Sequence, residues 1–348
     1  MRIPKFLLML TLIAALILAG CGGGDDAANE TASSGGDSAE AVTIKLAHSS
    51  APDSARDLGA QKFKEVVEAE TDGQVTVEIY PASQLGNPTE IVQGVQMGNI
   101  EMAISPTAFM GGFEPLITLL DIPFLFPNDK DALMELQDSE AMANLLSKTD
   151  DIGIETLGIW HTGYKQFTGP VALDDPAAFN GLKFRSMPSP VLFEQFNILG
   201  ASPTDLPFAD TYNALQTGTI DGQENPLDTT YDMKLHEVQE VVTMTDHGVL
   251  DQLIIMNKDF FDGLDPAYQE AIQKGFDEGR TVTVDATYEN IEEVKQIMED
   301  EGIEFVEITP EQREAFIAET QSVRDFYIAE FGEEGETLLT DIEAAIEQ

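Results

Sequence analysis

The run Gly181-Leu182-Lys183-Phe184-Arg185 reads as a short strand ending in a guanidinium, in a chain with 18 Lys plus Arg against 63 Asp plus Glu. The planar fork of Arg185 offers a carboxylate two parallel charge-assisted hydrogen bonds that an ammonium cannot reproduce. Further along, Gln216-Thr217-Gly218-Thr219-Ile220-Asp221-Gly222-Gln223-Glu224-Asn225-Pro226 reads as a helix end, a Gly turn and a strand running into an Asn-Pro turn. Both segments end in residues suited to holding a ligand. Catalysis has less to stand on. His48, His161, His236 and His247 lie far apart with no metal-ligand spacing. His236-Glu237 opens like a zinc-protease helix, but Glu240 stands where a second His is needed. The chain carries no Gly-x-Ser-x-Gly elbow, no phosphate-cradling Gly loop after a strand, and no twelve-residue calcium loop. The chemistry on offer is binding, with no enzymatic activity and no cofactor or metal expected.

The elements that must position these residues follow from periodicity. Val42-Thr43-Ile44-Lys45-Leu46 alternates as a strand, residues 54–69 follow as an amphipathic helix stopped at Gly73, and Val75, Val77 and Ile79 alternate again. Strand, helix, strand opens an α/β sheet. A second helix over 90–97 leads to a strand over 100–105. Gln96-Met97-Gly98-Asn99-Ile100-Glu101 is echoed by Gln216-Thr217-Gly218-Thr219-Ile220-Asp221, each a helix closed by a Gly that enters the left-handed region freely. The echo suggests paired α/β lobes facing one cleft, and a folded part of about 300 residues exceeds one comfortable core. Residues 265–301 open with Asp265-Pro266 as N-cap and first helical residue and stop at Gly302. A helix of about 36 residues is a rod of roughly 54 Å, long enough to brace both lobes. Its small residues Ala271, Gly275 and Gly279 permit close approach of another element, and Ile291, Val294 and Ile297 form an apolar face. The alternative is a break near Thr281-Val282-Thr283-Val284, where β-branching weakens helix propensity.

Together with Tyr80-Pro81-Ala82-Ser83-Gln84-Leu85-Gly86 and Leu120-Asp121-Ile122-Pro123-Phe124-Leu125-Phe126, these segments resemble the solute-binding subunits of TRAP (tripartite ATP-independent periplasmic) transporters over residues 42–345. The resemblance implies an α/β, two-lobe periplasmic-binding-protein fold with a ligand cleft between lobes and a long bracing helix. Lobe I is expected at 41–162 and 251–285, and lobe II at 163–250 and 286–348. By the same resemblance Arg185 grips the ligand carboxylate and Asn225 contacts the same ligand through its amide. Phe208 would wall the cleft, where excluding water strengthens the ion pair. Lys165 stands where many relatives carry a second Arg, and an ammonium lacks the bidentate fork. His48, Asn87 and Ser105, on loops at strand ends of the facing lobe, are expected to set specificity, while Trp160 and His161 mark the crossing between lobes. The implied partners are a small organic acid and a permease of small and large membrane subunits, driven by an ion gradient, with the receptor a monomer.

The amino terminus locates this activity. Residues 1–20 carry Arg2 and Lys5, then an apolar core, then Leu18-Ala19-Gly20 before Cys21. This is a signal peptide of lipoprotein pattern, its apolar core short of the ~20 residues a bilayer span needs. Cys21, the only cysteine, is the expected lipid attachment, and residues 21–40 are too polar to order themselves, a flexible tether. The formal net charge of −45 excludes nucleic acid, whose binding needs cations against phosphates. Such an acidic surface suits concentrated salt, where screening relieves self-repulsion, so a halophilic source is expected. A receptor of an ABC system, a tethered ligand sensor and a surface enzyme acting on an anionic substrate remain as alternatives.

Overall fold

Alternation along the first strands buries Ile44, Leu46, Val75 and Val77 on one face of a sheet, under helix residues Phe63, Val67, Ile272 and Phe276. The structure is a computed structural model describing residues 42–289 and 291–347; the expected signal peptide (1–20) and the tether with Cys21 (21–40) lie outside the described residues. The strands are β1 (Val42–His48), β2 (Val75–Tyr80), β3 (Met102–Pro106), β4 (Ile154–Tyr164), β5 (Gln166–Gly169), β6 (Lys183–Ser186), β7 (Ser202–Asp205), β8 (Gln223–Asn225), β9 (Val241–Met244), β10 (Val249–Asn257) and β11 (Glu304–Glu307). One sheet has the order β2-β1-β3-β10-β4, a second β11-β9-β5-β8, and β6 and β7 form a parallel pair. In the first sheet β1 runs parallel to β2 and β3, and β10 runs antiparallel to β3 and β4.

The helices are α1 (Ala55–Glu70), α2 (Pro88–Gln96), α3 (Lys130–Gln137), α4 (Glu140–Leu146), α5 (Pro190–Ile198), α6 (Thr211–Gln216), α7 (Leu227–Asp232), α8 (Lys258–Asp262), α9 (Pro266–Glu289), α10 (Ile291–Asp300), α11 (Pro310–Thr320) and α12 (Ser322–Ile346). Among the described residues no helix is long and apolar enough to cross a membrane. The two echoed segments fold alike. Gly98 (φ 73°) and Gly218 (φ 69°) close α2 and α6, and the next residue in each donates its N–H back into the helix, Asn99 to Gly94 O and Thr219 to Ala214 O, both at 2.9 Å. Each turn then feeds a strand that ends at the cleft.

The chain passes between the two sheets at β4 to β5, with Lys165 between them, and again at β9 to β10. There the Lys165 N–H donates to Gly248 O at 2.8 Å, tying the two crossings together. Helix α9 runs without interruption through Thr281-Val282-Thr283-Val284, where the sequence allows a break. Thr281 and Thr287 place their hydroxyls on Asp277 O at 3.1 Å and Thr283 O at 2.8 Å, while the Thr283 hydroxyl is buried without a partner among the described residues. The small residues of α9 meet α1 as expected: a Cβ on Gly279 would lie 3.0 Å from Gly59 O and 2.5 Å from Trp160, and one on Gly275 2.8 Å from Val67. Beyond Asn290, which lies outside the described residues, Val294 and Met298 of α10 bury against Leu227 and Val242 beside the second sheet.

Residues 286–348 do not all accompany the second sheet. Val323, Tyr327, Leu338, Leu339 and Ile342 of α12 enter the core that holds Leu133, Leu136, Met142 and Leu145 of α3 and α4, and the Tyr327 hydroxyl donates to Leu116 O at 2.8 Å. A kink at Gly332 (φ 64°, ψ −150°) divides α12 and lets it follow that surface. The carboxyl-terminal helix therefore packs across α3, α4 and α5, a pairing that its apolar face alone does not encode.

Candidate ligand-binding site

Strand ends from both sheets converge on one small cavity. Ser49, Arg56, Pro106 and Phe109 line it from the side of the first sheet, Arg185, Met187, Phe208, Asn225 and Thr229 from the other, and Leu250 at the crossing. Arg185 is held there by its strand. Phe184 is buried among Phe167, Phe179 and Phe196, which anchors β6, and the Arg185 N–H donates to Gly222 O at 2.9 Å. Alternation then turns Arg185 away from that aromatic cluster. The guanidinium is 2% exposed and its carbon lies 5.5 Å from the centre of the Phe208 ring. Its Nε donates to Leu206 O at 3.4 Å, and one terminal nitrogen has no partner among the described residues. Burial lowers its pKa to about 10, against the opposing pull of Glu224 and Asp205, so it stays charged at neutral pH. Asn225 is buried at the end of β8, its Nδ2 donating to Gln223 Oε1, and Pro226 turns the chain into α7.

Lys165 is placed differently. Its Nζ lies 2.7 Å from Glu224 Oε1, while Glu224 Oε2 accepts from His247 Nε2 at 2.8 Å and from Gln195 Nε2 at 3.0 Å. Both charged side chains are 1–2% exposed. Burial pushes the Glu224 carboxyl up, but Lys165 and His247 together hold it well below the usual range. Burial also lowers the pKa of His247, which keeps the imidazole neutral, stacked 3.6 Å from Phe167 and accepting from the Thr245 hydroxyl at 2.7 Å. Lys165 is thus spent on a buried acid at the strand crossing and does not line the cavity.

Three other expected residues are not among those that line the cavity. Asn87 caps α2: its Oδ1 accepts from Glu90 N at 3.0 Å, and its own N–H donates to Glu90 Oε2 at 2.8 Å. His48 is fully buried with Nε2 3.1 Å from Asp57 Oδ1, and Ser105 is buried with its hydroxyl 3.5 Å from Pro106 O. It is their chain neighbours Ser49 and Pro106 that border the cavity, a displacement of one residue at a strand end. Sequence reasoning missed Arg56 and Thr229. The Arg56 signal was a cation in the first turn of a helix, where the positive end of the dipole disfavours it.

Residues 46–330 match the profile of the family described as bacterial extracellular solute-binding protein, family 7. The chain belongs to this family. The C4-dicarboxylate-binding periplasmic protein DctP of Rhodobacter capsulatus is 37% identical over 301 residues, 85% of this chain and 89% of that protein. A TRAP periplasmic solute-binding protein from Desulfovibrio salexigens with bound orotic acid superposes with a TM-score of 0.85 at 32% identity, covering 88% of this chain and 98% of that one. Another from Shewanella oneidensis, with bound succinate, gives a TM-score of 0.82 at 32% identity, covering 88% and 99%. The protein is a TRAP-type solute-binding subunit with the two-lobe α/β fold of these receptors, and its strand crossings connect the lobes.

Proposed function

We propose that this receptor captures a small organic acid between its lobes, gripping one carboxylate on Arg185 with Asn225 as a second donor and Phe208 as the apolar wall. The observation that carries the reading is a buried guanidinium, aimed into a cavity, with no carboxylate of the described residues within 4.0 Å. A buried charge without a counter-ion is costly, and a ligand carboxylate relieves that cost with two charge-assisted bonds. Relatives whose names specify C4-dicarboxylates, orotic acid and succinate support the same class of ligand. Contacts from both lobes to one ligand would favour the closed arrangement, which a permease of small and large membrane subunits then reads and unloads on an ion gradient.

In this reading Lys165 acts through Glu224, fixing the strand crossing behind Arg185, and the cleft has no catalytic role. The chain works outside the cytoplasm as a monomer tethered through lipid on Cys21, in surroundings salty enough to screen its acidic surface. The test is a thermal-shift screen of residues 41–348 in molar salt against a panel of organic acids. A ligand at 100 times its dissociation constant adds about 2.7 kcal/mol of stability. A clear shift with one acid class and none with sugars or amines is expected, whereas shifts confined to uncharged or cationic solutes would overturn the proposal.

A further inference from the structure

Five of the ten residues that line the cavity are apolar: Pro106, Phe109, Met187, Phe208 and Leu250. Phe109, Met187 and Leu250 are buried and belong to the same packed core as residues of α3, α4 and α12. This part of the wall is therefore the face of that core. Of its three side chains only the Met187 sulfur accepts a hydrogen bond, and a thioether does so weakly.

In a chain with 63 Asp plus Glu, no described residue lining the cavity is acidic. Asp228 comes next to it in sequence, but its Oδ1 accepts from the Thr229 N–H at 2.6 Å and from the Thr229 hydroxyl at 3.2 Å, and it does not line the cavity. The neutral polar lining is partly engaged as well. The Thr229 hydroxyl also accepts from Arg56 at 2.7 Å, and Asn225 Nδ2 donates to Gln223 Oε1. The cavity thus offers a guanidinium to an acid group, an apolar surface to whatever carries that group, and no counter-charge to an ammonium.

These properties discriminate among acids by the body that bears the carboxylate. A hydroxyl laid against the core face leaves water without gaining a partner, which costs about fivefold or more in affinity. An ammonium there is a buried charge without a counter-ion, a cost of at least about 30-fold. A methylene in the same place gains about fourfold from burial. We propose that Phe109, Met187 and Leu250 are specificity-determining residues that confine this receptor to carboxylates with an unsubstituted alkyl or aryl body, against sugar acids and zwitterions; this rests on the Arg185 reading above.

The test is calorimetric titration of residues 41–348 with acids matched in length: butyrate, threonate and 4-aminobutyrate; succinate, tartrate and aspartate; hexanoate, gluconate and 6-aminohexanoate. In each set that binds, the unsubstituted acid is expected to be tighter than the hydroxylated one by at least about fivefold and than the amino acid by at least about 30-fold. Met187→Gln and Leu250→Gln, which put an amide on the wall, should each narrow the gap to the hydroxylated acid by about fivefold or more, while Met187→Leu keeps it. A hydroxylated or amino acid that binds wild type as tightly as its unsubstituted counterpart would overturn the proposal whether or not the variants fold, as would a gap that neither amide narrows in folded protein. If wild type binds none of these acids, or Arg185→Ala binds the unsubstituted ones as wild type does, it is the carboxylate reading beneath the proposal that fails.

Discussion

Replacing Lys165 with Met separates a structural role from a ligand contact. Met keeps the unbranched stem that packs against Gly248, where a Cβ would come within 2.9 Å of Lys165 Cε, and removes the charge. Glu224 is then left buried with only a neutral imidazole and the Gln195 amide. Removing one member of a buried pair costs about 3–5 kcal/mol. With an unfolding entropy of about 2.1 cal/mol/K per residue over about 300 residues, that is a fall in Tm of roughly 5–8 °C. The deficit should depend on pH. In the wild type, burial and the Lys165 charge hold the His247 pKa below its ordinary value, so its proton is excluded. Without Lys165 one of the influences that lower it is gone, so the variant's His247 takes up a proton beside Glu224 at a higher pH than the wild type's does. A depressed histidine pKa costs stability as pH falls below the unfolded value of about 6.5, and the variant bears less of that cost. Scanning calorimetry in molar salt should therefore show a smaller deficit at pH 5.5 than at pH 8.5. A variant with unchanged Tm but lost affinity would refute the reasoning and place Lys165 on the ligand.

The remaining predictions concern packing and protonation. Gly279→Ala, ordinarily stabilising inside a helix, should destabilise by about 1–3 kcal/mol because α1 and Trp160 leave no room; urea midpoints at constant slope check it, and a gain in stability would deny the close crossing. Asp121 is buried, accepts from the Thr107 hydroxyl at 3.1 Å, and burial pushes its pKa to about 6 against Lys165, Ser189 and Thr107. A carboxyl whose folded pKa is raised costs stability as pH rises from about 4 to 6, so the stability of Asp121→Asn relative to wild type should improve by up to about 3 kcal/mol between pH 4 and 7. A flat difference would mean that Asp121 titrates normally.

The parts legible in the sequence were those whose signal is local. β1, α1 and β2 announced themselves by alternation, by the amphipathic run from Ser54 and by Gly73, which sits at φ 73° after the helix. The small stripe of α9 specified a close crossing, although not its partner. The place of Arg185 at the cavity was legible because a guanidinium at a strand end stands out in so acidic a chain. What was not legible depends on distant partners: Glu224 lies 59 residues from Lys165, and nothing near either residue announces the pair. The packing of α12 across α3, α4 and α5 is of the same kind, since an apolar face does not name the surface it covers. Asn87 was legible and was read past: Asn87-Pro88-Thr89-Glu90 is a capping box with Pro at the first helical position, which assigns the side chain to the helix end. Arg56 stood in the open as a cation at the wrong end of a helix.

The central claim is that a ligand carboxylate is held by Arg185. Its most direct test is calorimetric titration of Arg185→Ala, alongside wild type, with the acid that gives the largest thermal shift, after circular dichroism has shown both proteins folded. Loss of the pairing partner should lower affinity by at least about 30-fold and leave the fold intact. Affinity retained within about tenfold, roughly 1.4 kcal/mol, would place the carboxylate elsewhere and contradict the account.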